Sequence, residues 1–129
     1  TETCAMHDLS RAQALIGKLR GIGCRFALDD FGTGFCSFTY LQNLDVDIFK
    51  IDGSFVRDLE TSQLSKAVIR SITDIAHVLN KTTTAEHCES LELIGVLRKL
   101  GVDHAQGFGI HKPQAIAEYF SRASLMIER

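Results

Sequence analysis

One stretch decides the fold of this chain: Leu28-Asp29-Asp30-Phe31-Gly32-Thr33-Gly34. It follows a short apolar run over residues 24–28 and continues into a loop with two glycines. A buried strand that delivers two neighbouring carboxylates to its carboxyl end is suited to divalent cations, because ions such as Mg²⁺ prefer carboxylate oxygens. The commoner fate of Asp-Asp near Gly is a turn or a helix N-cap, so the pair alone favours that simpler interpretation.

On both sides of this stretch, short apolar runs alternate with helical patterns. The first predicted strand contains the apolar run over residues 24–28 and ends in Asp29-Asp30. Further strands are predicted over residues 46–52, 82–86 and 102–107. Apolar residues at helical spacing predict helices over residues 9–19, 38–44, 56–79 with a break near 60–62, 91–100 and 116–125. Such alternation is typical of an α/β protein built from parallel βα units with right-handed crossovers. Two architectures remain open: an open doubly wound sheet, and about half of a TIM-like (β/α)₈ barrel, which is complete at about 250 residues.

Composition excludes several classes of protein. The 129 residues allow a single domain or a piece of one, and 45% of them are hydrophobic. A net charge of -2 with dispersed Lys and Arg offers no basis for binding duplex nucleic acid. No apolar run approaches the length of a membrane helix, and no leader pattern is present, so we expect no membrane contact in this segment. The four cysteines form no Cys-x-x-Cys pair, which favours a reduced, cytoplasmic setting.

A polar side chain stands near the carboxyl end of each predicted strand. These are Asp29-Asp30, then Lys50 with Asp52, then Glu86 and finally Gln106. Each alone has a simpler explanation, such as a helix cap or a solvated charge. Four equivalent placements indicate one shared site, because ligands of parallel α/β folds bind at the carboxyl ends of the strands. Carboxylates, an amine and an amide suit metal-assisted hydrolysis of a phosphate ester better than acyl transfer.

The same segments resemble the second half of an EAL domain, the family of bacterial cyclic di-GMP phosphodiesterases. The matching pieces, in order, are Thr1-Glu2-Thr3, residues 29–34, residues 50–56, Ala85-Glu86, Gln106-Gly107-Phe108 and Lys112-Pro113. The resemblance implies that residues 1–129 are the C-terminal portion of one modified (β/α)₈ barrel. It also implies a two-metal Mg²⁺ or Mn²⁺ site at the strand ends that opens cyclic di-GMP to linear pGpG.

The resemblance further implies roles for individual residues. Asp29 and Asp30 would be metal ligands, with Asp29 bridging the ions and Asp30 also counted as catalytic. Lys50 would contact the nucleophilic water or the phosphate, and Glu86 would orient the water network at the metal. Gln106 would complete the substrate pocket.

Further matches concern substrate binding and its control. Phe31, Gly32 and Lys112 would also bind substrate. The loop over residues 31–38 would link substrate binding and dimerisation to metal binding, and Glu2 would brace that loop.

Two departures from the family pattern qualify these expectations. His87 replaces the glycine of the usual Ala-Glu-Gly-Val-Glu, and we interpret it as a displaced or surface histidine rather than a new ligand. The Glu-Ala-Leu segment and two further family ligands are not in this sequence. We therefore expect a fragment that is inactive alone and associates with another copy, from a cytoplasmic bacterial protein with possible GGDEF or sensory domains. The alternative is a degenerate domain that binds cyclic di-GMP without cleaving it.

Overall fold

The computed structural model of the chain describes residues 2–33 and 42–119, with the side chains from residue 9 onward. Within these ranges, four strands form one sheet in the order β1-β2-β3-β4. The strands are β1 (Ala27–Phe31), β2 (Ile48–Ile51), β3 (Thr82–Ala85) and β4 (His104–Ala105). All three neighbouring pairs are parallel, so the predicted succession of βα units is confirmed.

The helices of the described ranges are α1 (Glu2–Arg20), α2 (Gly53–Arg57), α3 (Gln63–Val78) and α4 (Leu91–Lys99). The side chains of Asp52, Ser62 and Ser90 cap α2, α3 and α4 by accepting backbone N–H groups at 2.8, 3.1 and 3.4 Å. The cap at Ser62 accounts for the predicted break between α2 and α3. None of the described helices has the length and apolarity required to cross a membrane.

Two predicted helices lie partly outside the described residues. Residues 42–44 of the helix expected over 38–44 are described, of which residues 42 and 43 are helical and Leu44 is a bend. Residues 116–119 begin the last predicted helix, and the remainder of that prediction falls beyond residue 119.

The hydrophobic core lies between one face of the sheet and helices α2 to α4. Its buried members from the strands and helices include Phe49, Ile51, Val56, Ile69, Ile72, Ala76, Leu93 and Leu97. Phe49 and Ile51 flank Lys50 in β2, and side chains alternate between the two faces of a strand. Lys50 is therefore on the face of the sheet opposite the helices.

Strand β1 begins later along the chain than the sequence predicts. Pairing with β2 starts at Phe26, whose carbonyl accepts the backbone N–H of Asp47 at 2.8 Å. It continues past the two aspartates, since the carbonyl of Phe31 accepts the N–H of Asp52 at 3.4 Å. The prediction that the strand delivers the Asp pair to its carboxyl end is confirmed, since Asp29 and Asp30 are among the last three residues of β1.

Strand β4 is shorter than the predicted span of residues 102–107. The carboxylate of Asp103 accepts the backbone N–H of Thr83 at 2.8 Å, and it also accepts the hydroxyl of Thr83 at 2.8 Å. The side chain of Asp103 thus accepts the Thr83 N–H, which the backbone of a longer β4 would otherwise accept. His77, in the last turn of α3, contacts the same carboxylate at 3.0 Å, so Asp103 joins α3, β3 and β4.

The amino-terminal ends of β1 and β2 are held by a second polar group. Asp47 accepts the backbone N–H of Phe26 at 2.8 Å and pairs with Arg20 of α1 at 2.9 Å. The hydrogen bond from the Phe26 N–H is the main cause of the lowered pKa of Asp47. Arg20 lowers this pKa further, whereas desolvation raises it. These contacts stabilise the end of the sheet away from the predicted site.

Candidate functional site

A β-bulge in β1 brings the two aspartates to one side of the sheet. Residues 28 and 31 of β1 pair with residues 49 and 51 of β2, so Asp29 and Asp30 together oppose Lys50. Adjacent side chains of a regular strand would point to opposite faces. Asp30 has a φ of 51°, a left-handed conformation that Asp tolerates better than most residues. The bulge therefore adds one residue without moving Phe31 out of the core.

Three carboxylates converge at this bulge. Asp29, Asp30 and Glu86 each place one carboxylate oxygen within 4.8 Å of those of the other two. Glu86 follows β3 directly, and its backbone N–H donates to the carbonyl of Ile51 at 3.1 Å. Glu86 is buried while the two aspartates are exposed, so the cluster opens to solvent from the β1 side.

Lys50 supplies the positive charge of the cluster. Its Nζ lies 2.6 Å from Oδ1 of Asp29 and also contacts Oε1 of Glu86. The side chain of Lys50 is 22% exposed and that of Glu86 is 11% exposed, against 63% for Asp29. One ammonium facing three carboxylates leaves the cluster with excess negative charge.

The ion pairs shift the pKa values of two of these groups. The hydrogen bond from Lys50 lowers the pKa of Asp29, and its charge adds to this effect against a smaller cost of desolvation. The pKa of Lys50 is raised, first by Asp29 and then by Glu86. Both shifts favour the charged forms, so the pair stays ionised over the ordinary pH range.

The donor set of the cluster fits a hard divalent cation. Carboxylate oxygens are the ligands that Mg²⁺ and Mn²⁺ take from proteins, and three are available within 4.8 Å of one another. The excess negative charge would also be relieved by a cation. Asp29, Asp30 and Glu86 are therefore the residues that could hold a metal ion.

A cleft of about 250 Å³ adjoins this cluster at the carboxyl ends of β3 and β4. It is lined by Glu86, His87, Glu89, Gln106, Gly107 and Phe108. The structure thus brings Gln106 beside Glu86, as the prediction of a shared site requires. The cleft continues from the carboxylates toward a largely apolar side chain, Phe108, which is 66% exposed.

Backbone hydrogen bonds hold the two segments that form the cleft together. Gln106 donates its N–H to the carbonyl of Ala85 at 2.8 Å and accepts that of Cys88 at 2.9 Å. The carbonyl of Cys88 in turn accepts the N–H of Gly109 at 2.9 Å. The two segments therefore continue side by side beyond the ends of β3 and β4.

Two glycines permit this close approach. A Cβ atom on Gly107 would lie 2.3 Å from the backbone N of Cys88, and one on Gly109 would lie 2.3 Å from the carbonyl carbon of Glu89. No side chain fits at such distances from backbone atoms. The glycine of the predicted Gln106-Gly107 pair is thus explained by packing.

The remaining predicted site residues lie outside the carboxylate cluster. Phe31 is buried and stacks on Phe49 with ring centroids 5.1 Å apart, and Gly32 follows with a φ of 107°. Lys112 is exposed in the segment after the cleft. Glu2 is the first residue of α1, and its side chain lies outside the described residues, as do residues 34–38 of the predicted loop. The roles assigned to these residues remain predictions.

Three cleft residues were not among the predicted site residues. His87, Glu89 and Phe108 all line the cleft, and His87 is exposed with a φ of 53°. They could have been predicted from their nearness in sequence to Glu86 and Gln106, because residues next to strand ends lie at the same edge of the sheet.

Comparison with known proteins identifies the family of this fold and site. The EAL domain family matches residues 1–113 of the chain. Cyclic di-GMP phosphodiesterase PdeB of Shewanella oneidensis is 43% identical over 119 residues, which cover 92% of this chain and 14% of that protein. The chain therefore spans a small part of this curated relative.

Solved structures agree with this result. A phosphodiesterase called PaMucR, in complex with c-di-GMP, superposes with a TM-score of 0.81 at 30% identity, over 89% of this chain and 47% of that one. Klebsiella pneumoniae BlrP1, in a manganese and cyclic di-GMP complex, superposes with a TM-score of 0.68 at 33% identity, over 74% of this chain and 24% of that one. The match to about half of a barrel-like domain confirms the half-barrel over the open doubly wound sheet.

Proposed function

Because this chain belongs to the EAL domain family, we propose that the protein that carries it hydrolyses cyclic di-GMP to linear pGpG. The observation that supports this best is the cluster of Asp29, Asp30 and Glu86 around the Lys50 ammonium. Relatives of the chain are cyclic di-GMP phosphodiesterases, which fits a site built from hard oxygen ligands and one fixed positive charge.

In this proposal Asp29 and Asp30 would hold divalent cations, Mg²⁺ or Mn²⁺. The bulge supports this role because it aims two successive carboxylates at one position. When bound, the cations supply charge neutralisation at the phosphodiester and lower the pKa of water.

Lys50 and Glu86 act on the water and the phosphate. Lys50 is anchored between Asp29 and Glu86, so its ammonium is held in place and can stabilise negative charge that develops on the phosphodiester. Glu86 is the more buried of the carboxylates and lies at the entrance of the cleft, where it can orient a water by accepting its proton in a hydrogen bond.

The substrate extends from the cluster into the cleft. Gln106 contacts it there through its side-chain amide. Phe31 and Gly32 contribute through their backbone at the end of β1, since the Phe31 ring is in the core. Lys112 contributes a positive charge near the substrate, and Glu2 braces the loop after β1.

The resemblance supports two bound cations and GGDEF or sensory domains elsewhere in the protein. Self-association would cover the sheet edges and core that half a barrel exposes. A cytoplasmic location is favoured by four cysteines that form no Cys-x-x-Cys pair. Residues 1–129 would form part of a single EAL domain and would be inactive when isolated.

The test is hydrolysis of cyclic di-GMP by the full-length protein in Mg²⁺ or Mn²⁺, compared with the Asp29→Ala variant. We expect pGpG from the unsubstituted protein and a loss of turnover in the variant. Activity that survives the substitution would contradict the role of Asp29. Binding without turnover in both proteins would instead favour a non-catalytic cyclic di-GMP receptor.

A further inference from the structure

The imidazole of His87 packs against Gly53, at the start of α2. A Cβ atom on Gly53 would lie 2.3 Å from Nδ1 of His87 and 2.7 Å from its Cβ. The contact involves the base of the His87 side chain, which cannot move away without moving the backbone. Gly53 is buried and has no side chain, so the His87 ring occupies the space that a side chain at residue 53 would need.

The backbone of His87 also restricts the ring. Its φ of 53° is a left-handed conformation, in which His is found more often than most residues. The atoms of the ring nearest Gly53 are Nδ1 and Cγ, so Nε2 is the ring nitrogen farther from Gly53, in a residue that also lines the cleft. Backbone conformation and packing together hold this nitrogen in a defined place.

Among the side chains that line the cleft, those of His87 and Gln106 can donate hydrogen bonds. Glu86 and Glu89 offer only acceptor oxygens when ionised. Phe108 adds an exposed ring on the same cleft. An aromatic surface together with edge donors is suited to a purine base, while the phosphodiester belongs at the carboxylates with their cations.

We propose that His87 is a specificity-determining residue that binds the guanine base of the substrate. Its Nε2–H donates a hydrogen bond to an acceptor on the edge of the base, and Gly53 holds the ring in position. The inference rests on the proposed function, because it requires a guanine nucleotide in this cleft. His87 is exposed, as expected of a surface histidine, and the proposal gives this exposed ring a role in binding.

The first experiment compares His87→Gln with His87→Met in the full-length protein. The two side chains have similar length, but only Gln can donate a hydrogen bond. We expect His87→Met to raise KM for cyclic di-GMP about 5- to 10-fold with kcat within about twofold, as the loss of one hydrogen bond predicts. His87→Gln should stay within about twofold of the unsubstituted protein. Equal KM values for both variants, or a loss of kcat alone, would overturn the proposal.

A second readout identifies the acceptor. Adenine carries an amino donor where guanine carries the O6 acceptor. The preference for cyclic di-GMP over cyclic di-AMP in binding should therefore fall in His87→Met. An equal loss of affinity for both nucleotides would place the hydrogen bond on the phosphate and contradict the role in base recognition.

Gly53 provides a test of positioning. Gly53→Ala should raise KM at least as much as His87→Met, because the new methyl group must displace the ring together with the backbone of His87. In a His87→Gly background the same Gly53→Ala substitution should leave KM unchanged, since nothing remains to be displaced. An equal effect of Gly53→Ala in both backgrounds would show that the ring is not held by Gly53.

Calorimetric binding of cyclic di-GMP distinguishes failure of the proposed function from failure of the role of His87. No binding to the unsubstituted protein would refute the proposed function. Binding that is unchanged in a folded His87→Met variant, checked by circular dichroism, would refute the role of His87 alone.

Discussion

The ammonium of Lys50 lies 2.6 Å from the carboxylate of Asp29, across the bulge in β1. Lys50 also contacts Glu86, so one side chain connects residues from β1, β2 and the end of β3. Lys50 belongs to β2, which pairs with β1 on one side and β3 on the other, and its side chain is 22% exposed. The charged centre of the site is therefore anchored on an inner strand of the sheet, opposite the bulge in β1.

Substitution of Lys50 by Met should reduce kcat for cyclic di-GMP by about 10²-fold or more, with a smaller change in KM. The reason is the loss of a fixed positive charge at the position where negative charge develops during the reaction. Lys66→Met is the matched control, because Lys66 contacts only the backbone of Glu60 on the exposed side of α3 among the contacts described. Equal kcat values for the two variants would contradict the role of Lys50.

Asp30→Asn should weaken Mn²⁺ binding about tenfold while leaving the fold intact. Asn adopts a positive φ as readily as Asp, so the bulge at Asp30 is retained while one charged ligand is lost. Titration of Mn²⁺ followed by electron paramagnetic resonance measures the effect independently of activity. Asp74→Asn, on the exposed surface of α3, is the control and should bind Mn²⁺ as the unsubstituted protein does.

Asp103 should make stability depend on pH in the acidic range. Burial raises its pKa, but hydrogen bonds from the Thr83 N–H, His77 and the Thr83 hydroxyl together lower it below the ordinary value. A carboxyl whose pKa is lower in the folded state stabilises the fold fully above its unfolded value of about 3.9, and this contribution is lost as pH falls through the folded pKa.

Asp103→Asn should therefore destabilise the protein by about 1–3 kcal/mol at pH 7, and the difference should shrink below about pH 4. Urea unfolding at a series of pH values measures both quantities. A constant difference between the two proteins at every pH would show that ionisation of Asp103 does not contribute.

Gly107→Ala and Gly95→Ala should have opposite effects on stability. The methyl group at residue 107 would lie 2.3 Å from the backbone of Cys88 and must separate the two segments of the cleft. At Gly95, within α4, nothing lies within 4 Å, so Ala should stabilise the helix by about 0.5–1 kcal/mol. Thermal unfolding compares them, and an unchanged melting temperature in Gly107→Ala would contradict the packing argument.

The order of strands and helices could be predicted from the sequence because each element carries its own local pattern. The apolar run around Phe49, the β-branched run around Thr83 and the helical stripe around Ile69 all fall in the predicted elements. The end of β4 could not be predicted in this way. Its length is limited by the Asp103 side chain, which acts on a residue 20 positions earlier in the chain.

The composition of the site was predicted more fully than its geometry. Asp29, Asp30, Lys50 and Glu86 do converge, because carboxyl ends of parallel strands meet at one edge of a sheet. The bulge was not predicted, since a strand pattern assumes that neighbouring side chains face opposite ways. The contact of His87 with a glycine of α2 joins distant parts of the chain and leaves no local pattern.

The bulge in β1 also suggests how such a site can arise and disappear during evolution. Without Asp30, the residues from Leu28 to Phe31 would form a strand of ordinary alternation, with Asp29 opposite Lys50 and both hydrophobic neighbours still in the core. Asp30 is thus equivalent to one residue, encoded by one codon, inserted into a strand that is complete without it. Gain or loss of that codon would add or remove an acidic ligand while the register of the sheet is inherited unchanged.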